Sequence, residues 1–175
     1  YLIGTLDDLT ALATKVNGGI TFEGTYFKLT ADIGDSTTPF TTPIGNYTNQ
    51  FKGNFDGDGH TVYLTISGSS YLGLFGCLNG GSIKNVTTAG TVADTSKSVT
   101  GNGPVAGVCA HNIGGTIENC VNKAAVSCIN YGKYMGGICG KNEGGTINGC
   151  SNSAQVKAWG YNAQYFGGIC GQNYT

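Results

Sequence analysis

The seven cysteines and two histidines are the residues of this 175-residue chain best suited to metal binding or nucleophilic chemistry. A zinc site would draw on them at short paired spacings such as Cys-x-x-Cys. Cys77, Cys109, Cys120, Cys128, Cys139, Cys150 and Cys170 contain no such pair. Cys109, Cys139 and Cys170 are instead 30 and 31 positions apart, and Cys120 and Cys150 are 30 apart. That spacing follows a structural repeat, so the cysteines are expected as buried free thiols filling a core, where free cysteine is often found. The alternative is a disulfide between stacked repeats. An odd cysteine count leaves at least one thiol unpaired in a monomer, which differs from a conventional secreted disulfide framework.

His60 and His111 begin no HExxH motif, and the chain has neither a Gly-x-Ser-x-Gly elbow nor a P-loop. Asp56-Gly57-Asp58-Gly59 resembles a calcium loop but lacks the downstream bidentate glutamate, and Asp-Gly is also a common turn. Asp32 with Asp35, or Asp56 with Asp58, could serve glycan cleavage as acid and base. Nothing in the spacing aims either pair at a substrate, and solvated loop residues are expected. No catalytic residue, metal site or cofactor is therefore assigned. The aromatics offer more. Tyr131 aligns with Tyr161, Tyr134 with Tyr165, and Ile129 with Trp159 across the repeats described below. Tyr131, Tyr134, Trp159, Tyr161 and Tyr165 form a candidate ligand-binding patch, because exposed ring faces can stack on sugars. The competing reading is that these rings brace their own loops. Three N-glycosylation sequons, at Asn46, Asn85 and Asn173, are expected by chance in a chain this rich in Asn and Thr.

Composition limits what scaffold can hold these residues. Only 11% of residues are charged, with 31 glycines and a net charge of −1. Without an excess of Lys and Arg there is no basic stripe for nucleic acid. No window approaches 18 consecutive apolar residues, so no membrane span is expected. The opening Tyr1-Leu2-Ile3-Gly4 lacks a charged n-region, which reads as a mature protein or a fragment rather than a signal peptide. With 39% apolar and 10% aromatic residues the chain folds, and its short Val-, Ile-, Thr- and Tyr-rich runs punctuated by Gly and Asn read as all-β.

Internal repeats define the architecture. Gly80-Gly81-Ser82-Ile83, Gly114-Gly115-Thr116-Ile117 and Gly144-Gly145-Thr146-Ile147 start 34 and then 30 positions apart. A closing strand recurs four times, at Tyr71–Gly76, Val105–Ala110, Met135–Gly140 and Phe166–Gly171. The extra length of the first repeat falls in Thr95 to Gly103, which reads as a loop. Each unit supplies three short strands that cannot bury an apolar face without neighbours, so stacking as a right-handed parallel β-helix is predicted. Equivalent residues then lie about 4.8 Å apart in ladders. The predicted interior ladders are Ile83-Ile117-Ile147, Val86-Cys120-Cys150, Val92-Val126-Val156, Leu74-Val108-Ile138-Ile169 and Phe75-Cys109-Cys139-Cys170. Strand alternation requires the Leu74 or the Phe75 row to sit at a corner. Thr88-Asn122-Asn152 is predicted as a polar ladder at a turn.

The N-terminal part has a different pattern. Leu6, Leu9, Ala13 and Val16 share a helical face, Thr5 and Asp8 form a capping box, and Asn17-Gly18-Gly19 supplies a stop. Residues 1–19 are thus a helical cap over the first coil of a single domain, 1–175, with irregular first coils over 20–79 and regular repeats over 80–175. Phe22 to Ile33, Phe51 to Phe55 and His60 to Ile66 read as strands, and Ser36 to Asn49 as a long polar loop.

These residues resemble the GLUG-motif repeats of bacterial surface proteins. The resemblance rests on Gly73-Leu74-Phe75-Gly76, Gly137-Ile138-Cys139-Gly140 and Gly168-Ile169-Cys170-Gly171, the first two followed by Gly-Gly-(Ser/Thr)-Ile. It extends to Thr5–Leu9, Leu29–Ile33, Pro43–Gly45 and Phe51–Val62, which look like the segment preceding such repeats. Gly107-Val108-Cys109-Ala110 departs from the pattern at its last position. The resemblance implies an extracellular β-helix module, seen in large adhesin-like proteins and beside immunoglobulin-cleaving metalloprotease domains, with no residue-level catalytic assignment. The expected function is a structural or adhesive segment at the surface of a bacterial cell, contacting host or environmental glycans. The alternative is a carbohydrate-active β-helix enzyme or glycan-binding module, which a groove lined by convergent carboxylates would favour. End-to-end contact through the C-terminal coil is a further expectation.

Overall fold

The computed structural model describes residues 1–96, 103–129, 133–159 and 164–174. The chain is nearly all β, with parallel strands stacked as a β-solenoid of about five coils and one short N-terminal helix. One coil runs through Val105–Ala106, Cys109–Ile113, Thr116–Glu118 and Val121–Cys128. Its equivalents above and below build four parallel sheets. The first holds Leu2–Ile3, Tyr26–Leu29, Asn54–Asp56, Ser82–Lys84, Thr116–Glu118 and Thr146–Asn148. The second stacks Thr61–Gly68, Thr87–Asp94 and Val121–Cys128, which pairs with Ser151–Asn152 and Val156–Ala158. The third contains Val105–Ala106, Met135–Gly136 and Phe166–Gly167, and the fourth Phe75–Asn79, Cys109–Ile113, Cys139–Glu143 and Cys170–Tyr174.

Four strands per coil replace the three expected, because each closing strand breaks at a glycine-containing bend. Leu74, Val108 and Ile138 occupy that bend, so they and the following Phe75, Cys109 and Cys139 all face inward and are fully buried. A continuous strand would send successive side chains to opposite faces. The Leu74 row is therefore the corner row. Register bears out the other strand ladders: Ile83↔Ile117↔Ile147, Val92↔Val126↔Val156 and Phe75↔Cys109↔Cys139↔Cys170 pair directly. Phe51 and Phe55 each pack their ring 5.1 Å from that of Phe75, and all three are fully buried.

The helix spans Leu6–Asn17, with the capping box formed reciprocally by Thr5 and Asp8. Leu9, Leu12, Ala13 and Val16 are buried and join the solenoid core. Asn17 fastens its C-terminal end by donating to the Pro43 carbonyl at 3.1 Å and accepting from the Gly45 N–H at 2.9 Å.

Two local expectations are corrected. Ser36 to Asn49 is not simply a polar loop, since Phe40 and Ile44 are buried and bridge in parallel to Leu64 and Phe75. These two apolar residues sit amid Thr, Pro, Asn and Gly, where period-two alternation gives no signal. The Thr88-Asn122-Asn152 row lies within the second sheet and not at a turn, and Thr88 and Asn122 are buried there. The side chain of Asn122 replaces lost backbone pairing by accepting from the Ala124 N–H at 3.1 Å and donating to the Ala124 carbonyl at 2.9 Å.

Candidate ligand-binding surfaces

Of the aromatic patch read from the sequence, Tyr131 and Tyr161 lie outside the described residues. Tyr134 and Tyr165 come together as aligned, with ring centroids 5.5 Å apart and planes inclined by 15°. That stack turns one face of each ring toward the other and away from any ligand. Trp159 lies beyond the end of the second sheet, its backbone N–H donating to the Cys128 carbonyl at 3.0 Å. It is 65% exposed, and the Lys157 ammonium sits 3.4 Å from its ring centroid. An ammonium over an indole face is a favourable cation–π contact, which leaves the opposite face for a ligand.

A second surface was not read from the sequence. Outward positions of the first sheet form two parallel rows, Tyr26-Asn54-Ser82-Thr116 and Lys28-Asp56-Lys84-Glu118. Together with Tyr1 and Leu2 they line an open groove of about 480 Å³. One rim carries amide and hydroxyl groups, with the Ser82 hydroxyl donating to Asn54 Oδ1 at 2.9 Å. The other alternates in charge. Tyr26, at 72% exposed, presents its ring at one end. Such rows follow from the outward-inward-outward alternation of each short strand, and are visible only once the coils are set in register.

The acidic candidates are tied up by neighbours. Asp56 accepts from the Asp58 N–H at 2.9 Å and lies 3.2 Å from the Lys84 ammonium, while Asp58 pairs with Lys28 at 3.0 Å. Burial acts to raise the pKa of Asp56, but hydrogen bonds from Asn85, the Asp58 N–H and Lys84 outweigh it and hold the carboxyl below its usual range. Asp32 accepts from the Thr61 N–H at 2.8 Å, and Asp35 closes a turn on Thr37 and Thr38, whose donors pull it down to about 2. Among the described residues, no three His, Cys, Asp or Glu side chains converge on a point that could hold a metal ion.

His111, set aside in the sequence, proves to be buried on the outer side of the fourth sheet. Its Nε2 lies 3.1 Å from Glu143 Oε2, which also accepts from Lys141 Nζ at 3.0 Å. Its ring stacks on Tyr71 with centroids 6.2 Å apart. Burial pushes the His111 pKa down against the pull of Glu143.

A further polar row runs inside the fourth sheet. Asn112 Nδ2 donates to Asn142 Oδ1 at 2.7 Å, and Asn142 Nδ2 to Asn173 Oδ1 at 2.7 Å. Asn112 and Asn142 also donate to the Gly115 and Gly145 carbonyls of the Gly-Gly turns. Buried amides are tolerable only when satisfied in this way. Their spacing of 30 and 31 residues, the same as that of the cysteines, was the signal available in the sequence.

In-register parallel coils, glycine corners and amide rows along the axis define a β-solenoid repeat module. The comparisons agree: the GLUG motif matches residues 131–157. Halomucin of Haloquadratum walsbyi (strain DSM 16790 / HBSQ001) is 35% identical in an alignment 142 residues long that covers 73% of this chain. A solved chain from Bacteroides ovatus, described as a candidate immunoglobulin A1 protease, superposes on all of this chain with a TM-score of 0.66 at 21% identity. At that identity the likeness is one of fold. This chain spans 1% of halomucin and 62% of the Bacteroides chain. The chain fits a GLUG β-helix module, and its repeat and fold point to a structural module. No helix among the described residues is long and apolar enough to cross a membrane.

Proposed function

We propose that this module is a rigid extracellular segment of a bacterial cell-surface protein, and that its outer faces contact glycans. The observation that supports the structural role is the in-register pairing of all four sheets, which extends one stiff unit along an axis and leaves the outward rows free. Halomucin, of which a chain like this makes up 1%, is consistent with a module embedded in a very long polypeptide. The glycan reading draws on Tyr26 at the first-sheet groove and on Trp159, since an exposed ring beside hydroxyl and amide groups suits a sugar face and its hydroxyls. End-to-end contact would use Phe166 and Ile169, which are exposed on the last coil.

The enzyme reading has one observation in its favour, the presence of Asp56 and Glu118 in the same groove. They are two coil steps apart, about 10 Å at the backbone, with Lys84 between them. Acid–base glycan cleavage needs two carboxyls free to face the scissile bond, and Asp56 is engaged by Asn85, the Asp58 N–H and the Lys84 ammonium. We therefore favour binding over hydrolysis. A glycan array probed with the wild type, Tyr26→Ala, Trp159→Ala and the Tyr131, Trp159, Tyr161 triple alanine variant tests this. Binding lost in a ring variant supports the reading. Binding unchanged in all of them, or release of shortened oligosaccharides that Glu118→Gln abolishes, overturns it.

A further inference from the structure

The Val86-Cys120-Cys150 row places two thiols, one above the other, at the corner between the first and second sheets. On one side of that corner Ile117 pairs with Ile147, and on the other Val121 pairs with Ser151, so the two corners superpose. Parallel neighbours separated by one coil step put the Cα atoms about 4.8 Å apart, inside the roughly 4.4–6.8 Å range that a disulfide spans. The contact is direct, because the Cys120 N–H donates to Cys150 Sγ at 3.4 Å. Exposure distinguishes the partners: Cys120 is buried, while Cys150 is half-buried. In the coil above, the equivalent position is Val86, so Cys120 has only one cysteine neighbour in its row.

We propose that Cys120 and Cys150 form a peroxide-oxidised disulfide site that links two adjacent coils, with Cys150 as the reacting thiol and Cys120 as the resolving one. The Cys150 thiolate attacks one oxygen of hydrogen peroxide, the O–O bond breaks, and a sulfenic acid and hydroxide result. The Cys120 sulfur then attacks the sulfenic sulfur. An S–S bond forms, the S–O bond breaks, and the departing hydroxide takes the Cys120 proton to leave as water. Two thiols lose two electrons in all, and the peroxide gains them.

The electrostatics agree with this division of labour. The Cys120 contact, including its backbone N–H donated to Cys150 Sγ, holds the Cys150 thiol below its usual range, while the same contact, together with burial, drives Cys120 up. Thiolate character and access decide which cysteine oxidises first. The other stacked row behaves differently. Cys139 is buried between Cys109 and Cys170, and burial with the Cys109 contact raises it, while the Cys139 contact raises Cys170. Cys77 is raised by burial to about 12.

The test is a titration of the reduced protein with hydrogen peroxide near pH 7.5, followed by alkylation in denaturant and peptide mapping. Reactive thiols should fall from seven to five, and a single cross-linked peptide should join Cys120 to Cys150. Closing a loop of about 30 residues should raise the melting temperature on the order of 10 °C, reversed by a dithiol reductant. Cys120→Ser should leave a Cys150 sulfenic acid that a dimedone probe captures, and Cys150→Ser should abolish the cross-link. Cross-links formed first in the Cys109-Cys139-Cys170 row, or seven thiols remaining after peroxide, would overturn the proposal. So would dimedone labelling on Cys120 in place of Cys150.

Discussion

A Cβ atom on Gly107 would overlap the side-chain amide of Asn122, which belongs to a different sheet, and the same relation holds one coil later between Gly137 and Asn152. The motif glycine at the bend and the inward asparagine fifteen residues later are therefore one device. The first gives up its side chain so that the second can run an amide row, with Asn122 Nδ2 donating to Asn152 Oδ1 at 2.8 Å and Thr88 Oγ1 to Asn122 Oδ1 at 2.8 Å. It accounts physically for why the repeat keeps glycine where an apolar residue would bury more surface.

Gly107→Ala should destabilise the fold by about 1–3 kcal/mol through overpacking. Asn122→Ala should cost a similar amount by stranding Thr88, Asn152 and the Ala124 backbone. Combined, they should cost less than the sum by at least about 0.5 kcal/mol, because the small residue at 122 makes room for the new methyl. The relief stays partial, since the Gly137 carbonyl is also close to that position. Urea unfolding of the four proteins measures it, and strict additivity would mean that the amide is not what excludes the side chain.

Ile117 occupies the centre of the first-sheet ladder and is fully buried, so Ile117→Ala should cost about 2–5 kcal/mol. Phe40→Ala should cost about 3–5 kcal/mol although it sits in a polar stretch, because its ring is buried against the solenoid wall. A loss below about 1 kcal/mol at either position would place that side chain in solvent.

Asp94 is buried, where it accepts from the Ser96 N–H at 2.8 Å and from the Cys128 thiol. Burial raises its pKa above 3.8 despite those donors. The folded state therefore holds this proton more tightly than the unfolded chain does, and the group loses stability as pH rises from about 4. Asp94→Asn should stabilise the protein at pH 7, with the gain shrinking below pH 4. Thermal melts across that range test the sign.

His111 titrates in the opposite sense. Its folded pKa lies below 6.5, chiefly from burial, so the unfolded chain binds the proton better and stability falls as pH drops below about 6.5. His111→Gln should flatten the stability profile between pH 5 and 7 while leaving the acid limb below pH 5. There Asp35, whose carboxylate is held down to about 2 by the Thr37 and Thr38 donors, takes up its proton. A profile unchanged by the substitution would show that His111 is not buried as described.

The sequence by itself determined the repeat length, the parallel ladders and the N-terminal cap. Each depends on signals carried within one unit or repeated at 30 to 34 residues: Gly-Gly-(Ser/Thr)-Ile, the Cys109-Cys139-Cys170 spacing, and the Thr5–Asp8 capping box. A solenoid makes such signals legible because each coil contacts only its neighbours, so sequence period becomes spatial register. What only the tertiary structure decided were meetings across the coil and between irregular coils. Phe40 and Ile44 became core because the wall of the next coil lay beside them, which no local pattern announces. Tyr134 and Tyr165 aligned as expected, yet whether their faces meet each other or solvent depended on how the third sheet bends. The groove below Tyr26 required the outward residues of five strands to be set side by side, and the Gly107–Asn122 fit required the chain to turn twice between them. Those outcomes are fixed by excluded volume and amide satisfaction among residues distant in sequence, which have no meaning until the coil closes.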